Sequence, residues 1–244
     1  MLTEQEARDA IIVALDCGCE EALEIADHLA DRAVWVKVGM TLYYAEGPKI
    51  VRMMRERGLK VFLDLKLHDI PFQVQGAAEA ASKVGADILS IHSLGSSAMI
   101  GGARAGVDAA QAAGRESRTK LVAITVLTSM DQAALGEVGI EVPVADEVER
   151  LATMATSSGA DGIVCSPQEA ADMRRALGPH ALIITPGVRP AGADVGDQRR
   201  IATPAAAIGA GASKLVIGRP ITKAEDPAAA FDAIVAELTA DERR

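Results

Sequence analysis

The chain has 244 residues and a formal net charge of -9, and 49% of its residues are hydrophobic. This length suits one large domain with a substantial core, and the acidic balance without any basic tract argues against a nucleic-acid partner. Aromatic residues make up only 2% of the chain, so the core must be aliphatic, as it is where helices pack on a parallel sheet.

Cysteine usage and the N-terminus indicate where the protein resides. Cys17, Cys19 and Cys165 are odd in number and lack a second Cys/His pair at zinc-ligand spacing, which is typical of a reduced chain. The first residues include acids where a signal peptide would be basic and apolar, and no segment approaches the roughly 18 apolar residues of a membrane span. We therefore expect a soluble, cytoplasmic protein with no membrane partner.

Short apolar runs recur along the chain, and alanine-rich segments of helical period separate them. The first four runs predict strands at 11–16, 35–39, 61–66 and 88–93, followed by helices at 19–31, 42–57, 72–84 and 98–113. The last four predict strands at 121–127, 162–166, 182–186 and 214–219, followed by helices at 144–158, 167–177, 204–208 and 227–238. Between the fifth strand and its helix, 128–142 is a long polar connection.

About eight strand–helix units of this size predict a (β/α)8 TIM barrel of class α/β, with residues 1–244 as a single domain. A doubly wound open sheet is the alternative fold. It is disfavoured because the Gly-x-Gly-x-x-Gly fingerprint is missing after the first strand, where Asp16 is followed by Cys-Gly-Cys.

The stretch Val61–Pro71 concentrates charge in an otherwise apolar strand, and it contains Asp64, Lys66 and Asp69. Strand alternation places Asp64 and Lys66 on one face. Ionised groups that face the interior are costly unless they are paired or used, so we interpret this face as a site; the alternative is an edge strand with one solvated face.

In such barrels the active site lies at the C-terminal ends of the strands. The unusual residues of this chain fall at or near those ends: Asp16, Lys37, Asp64, Lys66, His92, Thr128 and Arg219. Their coincidence at one end of the barrel predicts an active site there.

Two lysines, Lys37 and Lys66, and three aspartates, Asp16, Asp64 and Asp69, can form an alternating ion network. Each carboxylate is then held ionised and each lysine protonated. Such a network can place a negative charge next to a substrate carboxylate and a protonated lysine next to the carbon that carries it. This arrangement suits a reaction in which CO₂ leaves and the remaining carbon is protonated. The alternative is a buried ion cluster that only stabilises the fold, although apolar residues often replace such clusters without cost.

A phosphate site is predicted after the last two strands, where barrels commonly bind phosphate through backbone N–H groups. Thr185–Arg189 follows the seventh strand and Ile217–Arg219 the eighth. Arg219 can add a bidentate contact to phosphate oxygens. Alternatively, Gly187 and Gly218 are only turn residues and Arg219 is a surface cation.

These motifs resemble those of the orotidine 5′-phosphate decarboxylase family. The similarity runs from the first strand to the last, and its most specific parts are Asp-Leu-Lys-Leu-His-Asp-Ile-Pro at 64–71, Thr-Pro-Gly-Val-Arg-Pro at 185–190 and Gly-Asp-Gln-Arg-Arg at 196–200. The resemblance implies a homodimeric barrel with shared active sites. It also implies conversion of orotidine 5′-monophosphate to UMP and CO₂, the last step of pyrimidine synthesis, without metal or organic cofactor.

The resemblance implies a role for each matching residue. Lys37, Asp64 and Lys66 match the charged network beside the scissile carboxylate, with Lys66 as the proton donor to C6, and Asp69 matches an aspartate that reaches into the partner's site. The implied substrate-binding residues are Asp16 and Lys37 for the ribose, Thr128 for the pyrimidine, Gln198 between base and phosphate, and Pro186, Gly187, Arg189, Arg199, Gly218 and Arg219 for the phosphate.

One position departs from the family pattern, which usually has Asn-Thr after Ile-Pro where this chain has Phe72-Gln73. Gln73 can still donate and accept hydrogen bonds, so it remains a candidate for the ribose contact across the dimer. His68 is interpreted as structural or as a residue that contacts the substrate-binding groups rather than the substrate. The role of His92 stays open.

Other functions also remain open. Sugar-phosphate decarboxylases of the same barrel group look similar at Asp64, Lys66 and Asp69 but use magnesium; residues 70–71 and 197–200 argue against them. A Schiff-base aldolase would need a deprotonated lysine, which the neighbouring aspartates oppose. A non-catalytic nucleotide-phosphate binding module would bind UMP without turning over orotidine monophosphate.

Overall fold

The computed structural model of the chain describes residues 2–114, 118–190 and 202–240. Its parallel strands pair in chain order, and the eighth strand also pairs with the first, so the sheet closes into a barrel. The strands are β1 (Ile11–Leu15), β2 (Trp35–Gly39), β3 (Lys60–Leu67), β4 (Ile88–His92), β5 (Lys120–Ile124), β6 (Gly162–Val164), β7 (Leu182–Thr185) and β8 (Lys214–Ile217). The predicted (β/α)8 barrel is confirmed.

Helices surround the barrel and follow its strands. They are α1 (Glu4–Ala10), α2 (Cys19–His28), α3 (Met40–Glu46), α4 (Pro48–Glu56), α5 (Pro71–Lys83), α6 (Ser96–Ala112), α7 (Gln132–Glu137), α8 (Val144–Ser157), α9 (Ala170–Leu177), α10 (Pro204–Gly209), α11 (Arg219–Thr222) and α12 (Pro227–Thr239). Within the described ranges, the helices are too short or too polar to cross a membrane.

Several helices differ from the sequence-based prediction. The N-terminal helix α1 was not predicted; it begins at a capping box in which Thr3 and Glu6 each bond the other's backbone N–H. The helix predicted at 42–57 is two helices, because Gly47 adopts a φ of 63° and Pro48 begins a new helix. The long connection after β5 contains α7, which Asp131 caps through the N–H of residue 134.

Two apolar layers hold the barrel together. An outer layer packs the strands against the helices, and an inner layer fills the barrel. The inner layer consists of Ile12, Ala14, Trp35, Phe62, Ile88, Val122, Ile124, Val164, Ile184 and Val216. Because both faces of each strand are buried, the strands appear in the sequence as nearly continuous apolar runs.

Trp35 closes the end of the barrel at which the strands begin. Its indole N–H donates to the Asp9 carboxylate at 2.8 Å, and the Lys214 ammonium donates to the same carboxylate at 2.9 Å. The ammonium groups of Lys214 and Lys60 lie 4.4 Å and 5.2 Å from the centroid of the Trp35 ring. Such cation–aromatic contacts stabilise this end. Asp64 and Lys66 of β3 lie near the opposite end, where β3 finishes.

Candidate active site

A cavity of about 160 Å³ opens at the C-terminal ends of the strands. Five residues of the predicted site line it: Lys37, Asp64, Lys66, Thr128 and Pro186. The other lining residues are apolar: Phe62, Ile124, Val126, Leu127, Val164 and Val216. A small cavity with apolar walls and a few charged groups can enclose a planar ring and act on one of its substituents.

Four charged side chains form a continuous chain of ion pairs at this cavity. Lys66 Nζ lies 2.9 Å from Asp64 Oδ2, and Lys37 Nζ lies 3.7 Å from the same oxygen. Lys37 Nζ also donates to Asp16 Oδ1 at 2.8 Å. The structure thus brings together four residues that the sequence analysis singled out, with their charges alternating in sign.

Asp64 carries the buried negative charge of this network. Burial opposes its ionisation and by itself raises the pKa of the carboxyl. The charges of Lys37 and Lys66, with hydrogen bonds from Lys66 and Ser90, outweigh burial, so the pKa of Asp64 lies below its ordinary value. Asp64 is therefore ionised at neutral pH and holds a fixed charge against the cavity.

Asp64 and Lys66 meet because β3 bulges between them. Leu63 pairs with Leu89 and Leu67 pairs with Ile91, so four residue steps on β3 match only two on β4. Lys66 adopts a φ of 52°, a left-handed conformation that non-glycine residues rarely adopt. Simple alternation predicted the shared face, but the observed placement depends on this irregular backbone.

Ser90 on β4 is the site residue that the sequence analysis missed. Its fully buried hydroxyl donates to Asp64 Oδ1 at 2.8 Å and accepts from the backbone N–H of Lys66, also at 2.8 Å. A signal was present, because Ser90 is a lone hydroxyl residue two positions after inward-facing Ile88. Nothing in the local pattern, however, reveals the bulge in the neighbouring strand.

Two glycines leave room around Asp16. A Cβ atom at Gly39 would lie 3.1 Å from both Asp16 Oδ1 and Lys37 Nζ, so a side chain there would crowd the ion pair. A Cβ atom at Gly218 would lie 3.9 Å from Asp16 Oδ2. The end of β8 therefore borders the Asp16 carboxylate, which suits a ligand that contacts both.

Two imidazoles stack beside the ion chain. The ring centroids of His68 and His92 are 5.2 Å apart, with 19° between their planes. Burial lowers the pKa of His92 to about 4, and the nearby His68 and Lys66 charges act in the same direction. Neutral His92 accepts a hydrogen bond at Nδ1 from the N–H of Leu94, at 3.4 Å.

Asp69 and Gln73 do not line the cavity of their own chain. Both are exposed, and the Asp69 carboxylate accepts from the N–H of Ile70 at 2.6 Å. Ile70 and Phe72, which lie between them in the sequence, are 61% and 79% exposed. This segment therefore exposes both polar groups and large apolar side chains.

The residues predicted to bind phosphate after β7 differ in their surroundings. Pro186 lines the cavity, and Gly187 beside it adopts a φ of 78°, a left-handed conformation that glycine accepts without strain. Arg189 is buried; its backbone N–H donates to the carbonyl of residue 202, and its guanidinium donates to the Val188 carbonyl at 2.9 Å. Its described contacts therefore lie within its own chain.

The remaining predicted phosphate residues lie after β8 or outside the described part of the chain. Arg219 is exposed and begins α11, rather than ending β8 as predicted, because the strand stops at Ile217. Gln198 and Arg199 fall outside the described residues. Within the described ranges, His, Cys, Asp and Glu side chains form no group of three that could hold a metal ion.

Comparisons with known proteins agree with this geometry. Residues 9–234 match the family described as "Orotidine 5′-phosphate decarboxylase / HUMPS family". The chain is 50% identical over 239 residues to the orotidine 5′-phosphate decarboxylase of Moorella thermoacetica, covering 97% of this chain and 95% of the relative. The Thermobifida fusca protein of the same name is also 50% identical, with 93% and 95% covered.

Solved structures show the same likeness. The crystal structure of orotidine 5′-phosphate decarboxylase from Lactobacillus acidophilus matches with a TM-score of 0.85 and 42% identity, covering 95% of this chain and all of that one. An uncharacterized conserved protein from Geobacillus kaustophilus matches with a TM-score of 0.83 and 38% identity. With its barrel, its alternating ion chain and these similarities along nearly its whole length, the chain belongs to the orotidine 5′-phosphate decarboxylase / HUMPS family.

Proposed function

We propose that this protein is an orotidine 5′-phosphate decarboxylase, which converts orotidine 5′-monophosphate to UMP and CO₂ as the last step of pyrimidine synthesis. The observation that carries the proposal is the ion chain from Lys66 through Asp64 and Lys37 to Asp16 at the cavity. Relatives that are 50% identical over nearly the whole chain carry the same name. The proposal includes a cytoplasmic location, where nucleotides are made.

The chemistry follows from the two groups on β3. Ionised Asp64 lies where it would face the substrate carboxylate. The repulsion between these two negative charges raises the free energy of the bound substrate, and loss of CO₂ relieves it. As the bond from C6 to the carboxylate breaks, CO₂ leaves and the electron pair stays on C6. The Lys66 ammonium stabilises that charge and then transfers a proton to C6, and solvent restores the proton to the lysine. The site is thus complementary to the transition state rather than to the substrate.

Binding of the rest of the nucleotide is assigned to the rim of the cavity. Asp16 and Lys37 bond the ribose hydroxyls, and Thr128 contacts the pyrimidine. The phosphate-binding set is Pro186, Gly187, Arg189, Arg199, Gly218 and Arg219, and Gln198 spans base and phosphate. Support comes from the position of Thr128 and Pro186 on the cavity and of Gly218 beside Asp16. Binding energy from the remote phosphate helps to organise the reacting centre.

The proposal includes a homodimer in which each chain completes the other's site. Asp69 and Gln73 serve the partner's cavity, because they are exposed and do not line their own. Large exposed apolar side chains also follow the ends of the neighbouring strands β2, β3 and β4: Met40, Tyr44, Ile70, Phe72 and Leu94. Exposed apolar side chains grouped in this way are typical of protein–protein interfaces.

The first test is a spectrophotometric assay with orotidine monophosphate. We expect the absorbance of the substrate to fall, at the same rate with and without EDTA. Lys66→Ala should remove turnover but leave UMP binding measurable. Because residue 66 has a φ of 52°, alanine there keeps the strain of about 1–2 kcal/mol that the native lysine carries but loses the lysine's ion pair, so Lys66→Gly, which relieves the strain, is the second variant.

The control is Lys83→Ala, at an exposed lysine near the end of α5. It should leave turnover unchanged. Retention of more than a few per cent of activity, about 5%, in both Lys66 variants would contradict the role of proton donor. Loss of wild-type activity in EDTA would favour a metal-dependent reaction, and UMP binding without turnover would favour a binding module.

A further inference from the structure

We propose that Ser90 is a positioning residue for the decarboxylation: its hydroxyl ties the Asp64 carboxylate to the backbone of Lys66 and so fixes the two groups relative to each other. The inference rests on the proposed function. It deepens that function, because it names the part of the barrel wall that sets the reacting charges in place.

The direction of both hydrogen bonds follows from simple chemistry. A serine hydroxyl has one proton to donate and two lone pairs that accept. An ionised carboxylate can only accept and a backbone N–H can only donate, so Ser90 must donate to Asp64 and accept from Lys66. Both distances are 2.8 Å, and the side chain is fully buried. The hydroxyl therefore has no freedom to turn toward another acceptor.

Ser90 also accounts for the bulge in β3. In a regular parallel ladder the N–H of Lys66 would bond a carbonyl of the neighbouring strand, but here it bonds a side chain instead. A buried N–H without a partner is costly, so the Ser90 hydroxyl makes the left-handed conformation of Lys66 tolerable. Without that acceptor, the left-handed conformation that brings the Lys66 ammonium to Asp64 would be less stable.

The two oxygens of Asp64 have different tasks. Oδ2 lies between the ammonium groups of Lys37 and Lys66, and Oδ1 accepts from Ser90. Ser90 thus fixes the rotation of the carboxylate while the lysines balance its charge. It also contributes to the lowered pKa of Asp64, so its removal would move that pKa upward.

The test is Ser90→Ala, which removes the hydroxyl without adding bulk, with Ser90→Thr as the variant that restores a hydroxyl. In Ser90→Ala we expect kcat to fall about 10- to 100-fold with little change in KM, because a small misplacement of reacting groups costs rate rather than binding. The acid limb of kcat/KM should move to higher pH. Ser90→Thr should recover most of the lost kcat.

Ser82→Ala is the matched control. Ser82 is also buried, at 1% exposure, and its hydroxyl has no hydrogen-bond partner among the described residues. This variant should keep the wild-type kcat and pH profile. If Ser90→Ala behaves like Ser82→Ala, the positioning role is wrong.

A readout in the free protein separates this inference from the proposed function. Hydrogen exchange at the Lys66 amide, measured by NMR, should be faster in Ser90→Ala than in the wild type and unchanged in Ser82→Ala. Unchanged exchange in Ser90→Ala would overturn the inference whatever the enzyme does. If the wild type fails to turn over orotidine monophosphate, the proposed function fails. If Ser90→Thr folds poorly, the pH dependence of kcat/KM in Ser90→Ala is the deciding measurement. An acid limb at the same pH as in the wild type would then contradict the positioning role of Ser90.

Discussion

Lys66 combines a charge with an unfavourable backbone. Its left-handed conformation costs about 1–2 kcal/mol for a residue with a side chain, which the surrounding strand must offset. The bond from its N–H to Ser90 and the return of Leu67 to pairing with Ile91 supply that support. Strain held in place at a charged residue beside a cavity is typical of sites in which geometry is set before the ligand arrives.

At the same scale, His92 should remain neutral across the physiological pH range. Burial and the neighbouring His68 and Lys66 lower its pKa to about 4. In the unfolded chain the pKa returns to its ordinary value near 6.5, so the unfolded state takes up a proton first as pH falls. Stability from this residue is therefore fully present above about pH 6.5 and is lost as pH falls toward 4.

The size of this effect is reduced by solvent, because His92 is only half-buried. We expect a loss of about 1 kcal/mol between pH 7 and pH 4.5, measured by urea unfolding. His92→Phe keeps a planar ring beside His68 but binds no proton, so it should lose less stability over this interval. An NMR titration in which the His92 imidazole takes up its proton near pH 6.5 would contradict the prediction.

Part of the site was predictable because it consists of charged residues inside otherwise apolar strands. Lys37, Asp64 and Lys66 are ions inside apolar strands, which is costly without a purpose and therefore visible in the sequence. Ser90 was missed because a serine in a strand is ordinary. Its importance arises only from the irregular pairing between two strands that are 26 residues apart at the Ser90–Asp64 contact.

At the scale of elements, α5 and α6 approach so closely that two glycines are required. A Cβ atom at Gly102 would lie 2.6 Å from the Pro71 carbonyl oxygen, and one at Gly106 would lie 2.1 Å from that of Gln75. Helix α6 therefore packs directly on the backbone of α5. Because α5 begins two residues after Asp69, this contact also fixes the segment proposed to reach the partner's site.

Gly106→Ala should accordingly destabilise the protein by about 2–3 kcal/mol and lower activity, because α5 must shift to admit the methyl group. Gly101→Ala on the same helix is the control, since a Cβ atom there meets no atom within 4 Å. It should stabilise by up to about 1 kcal/mol through helix propensity. Urea unfolding of both variants checks this, and equal stabilities would show that the contact is less tight than described.

Element boundaries were predicted unevenly. Strands were found within a few residues because both of their faces are apolar, and helix ends followed glycines such as Gly85 and Gly114, which adopt positive φ. The division at Gly47 and Pro48 was missed, although that dipeptide is a turn signal. The apolar periodicity continues from α3 into α4, and it was given more weight than the Gly-Pro dipeptide. One helix was therefore predicted where there are two.

At the scale of the whole molecule, the barrel was predictable because repeated strand–helix units leave few topologies open. The prediction that residues 1–244 form a single domain stays a prediction. The proposed shared site would also require a second chain, for which the sequence offers only a resemblance at Asp69, because Gln73 departs from the family pattern.

Mixed dimers test the shared site directly. If Asp69 serves the partner's cavity, Asp69→Ala and Lys66→Ala chains should each be inactive alone. When they are mixed, half of the dimers are hybrids in which one of the two sites has both residues, so about a quarter of the wild-type activity should return. Steady-state assays after subunit exchange measure this, with a mixture of Lys66→Ala and Lys66→Gly chains as the control. No recovery in exchanged dimers would assign Asp69 to its own chain.

Trp35 has a practical consequence for such measurements. It is the sole tryptophan of the chain, and it lies among lysines at the end of the barrel away from the cavity. Its environment depends on β2, β3 and β8 being in register, since Lys60, Lys214 and Trp35 itself begin those strands. The intrinsic fluorescence of the protein is therefore a built-in reporter of barrel integrity, and it allows loss of folding to be distinguished from loss of chemistry in every variant.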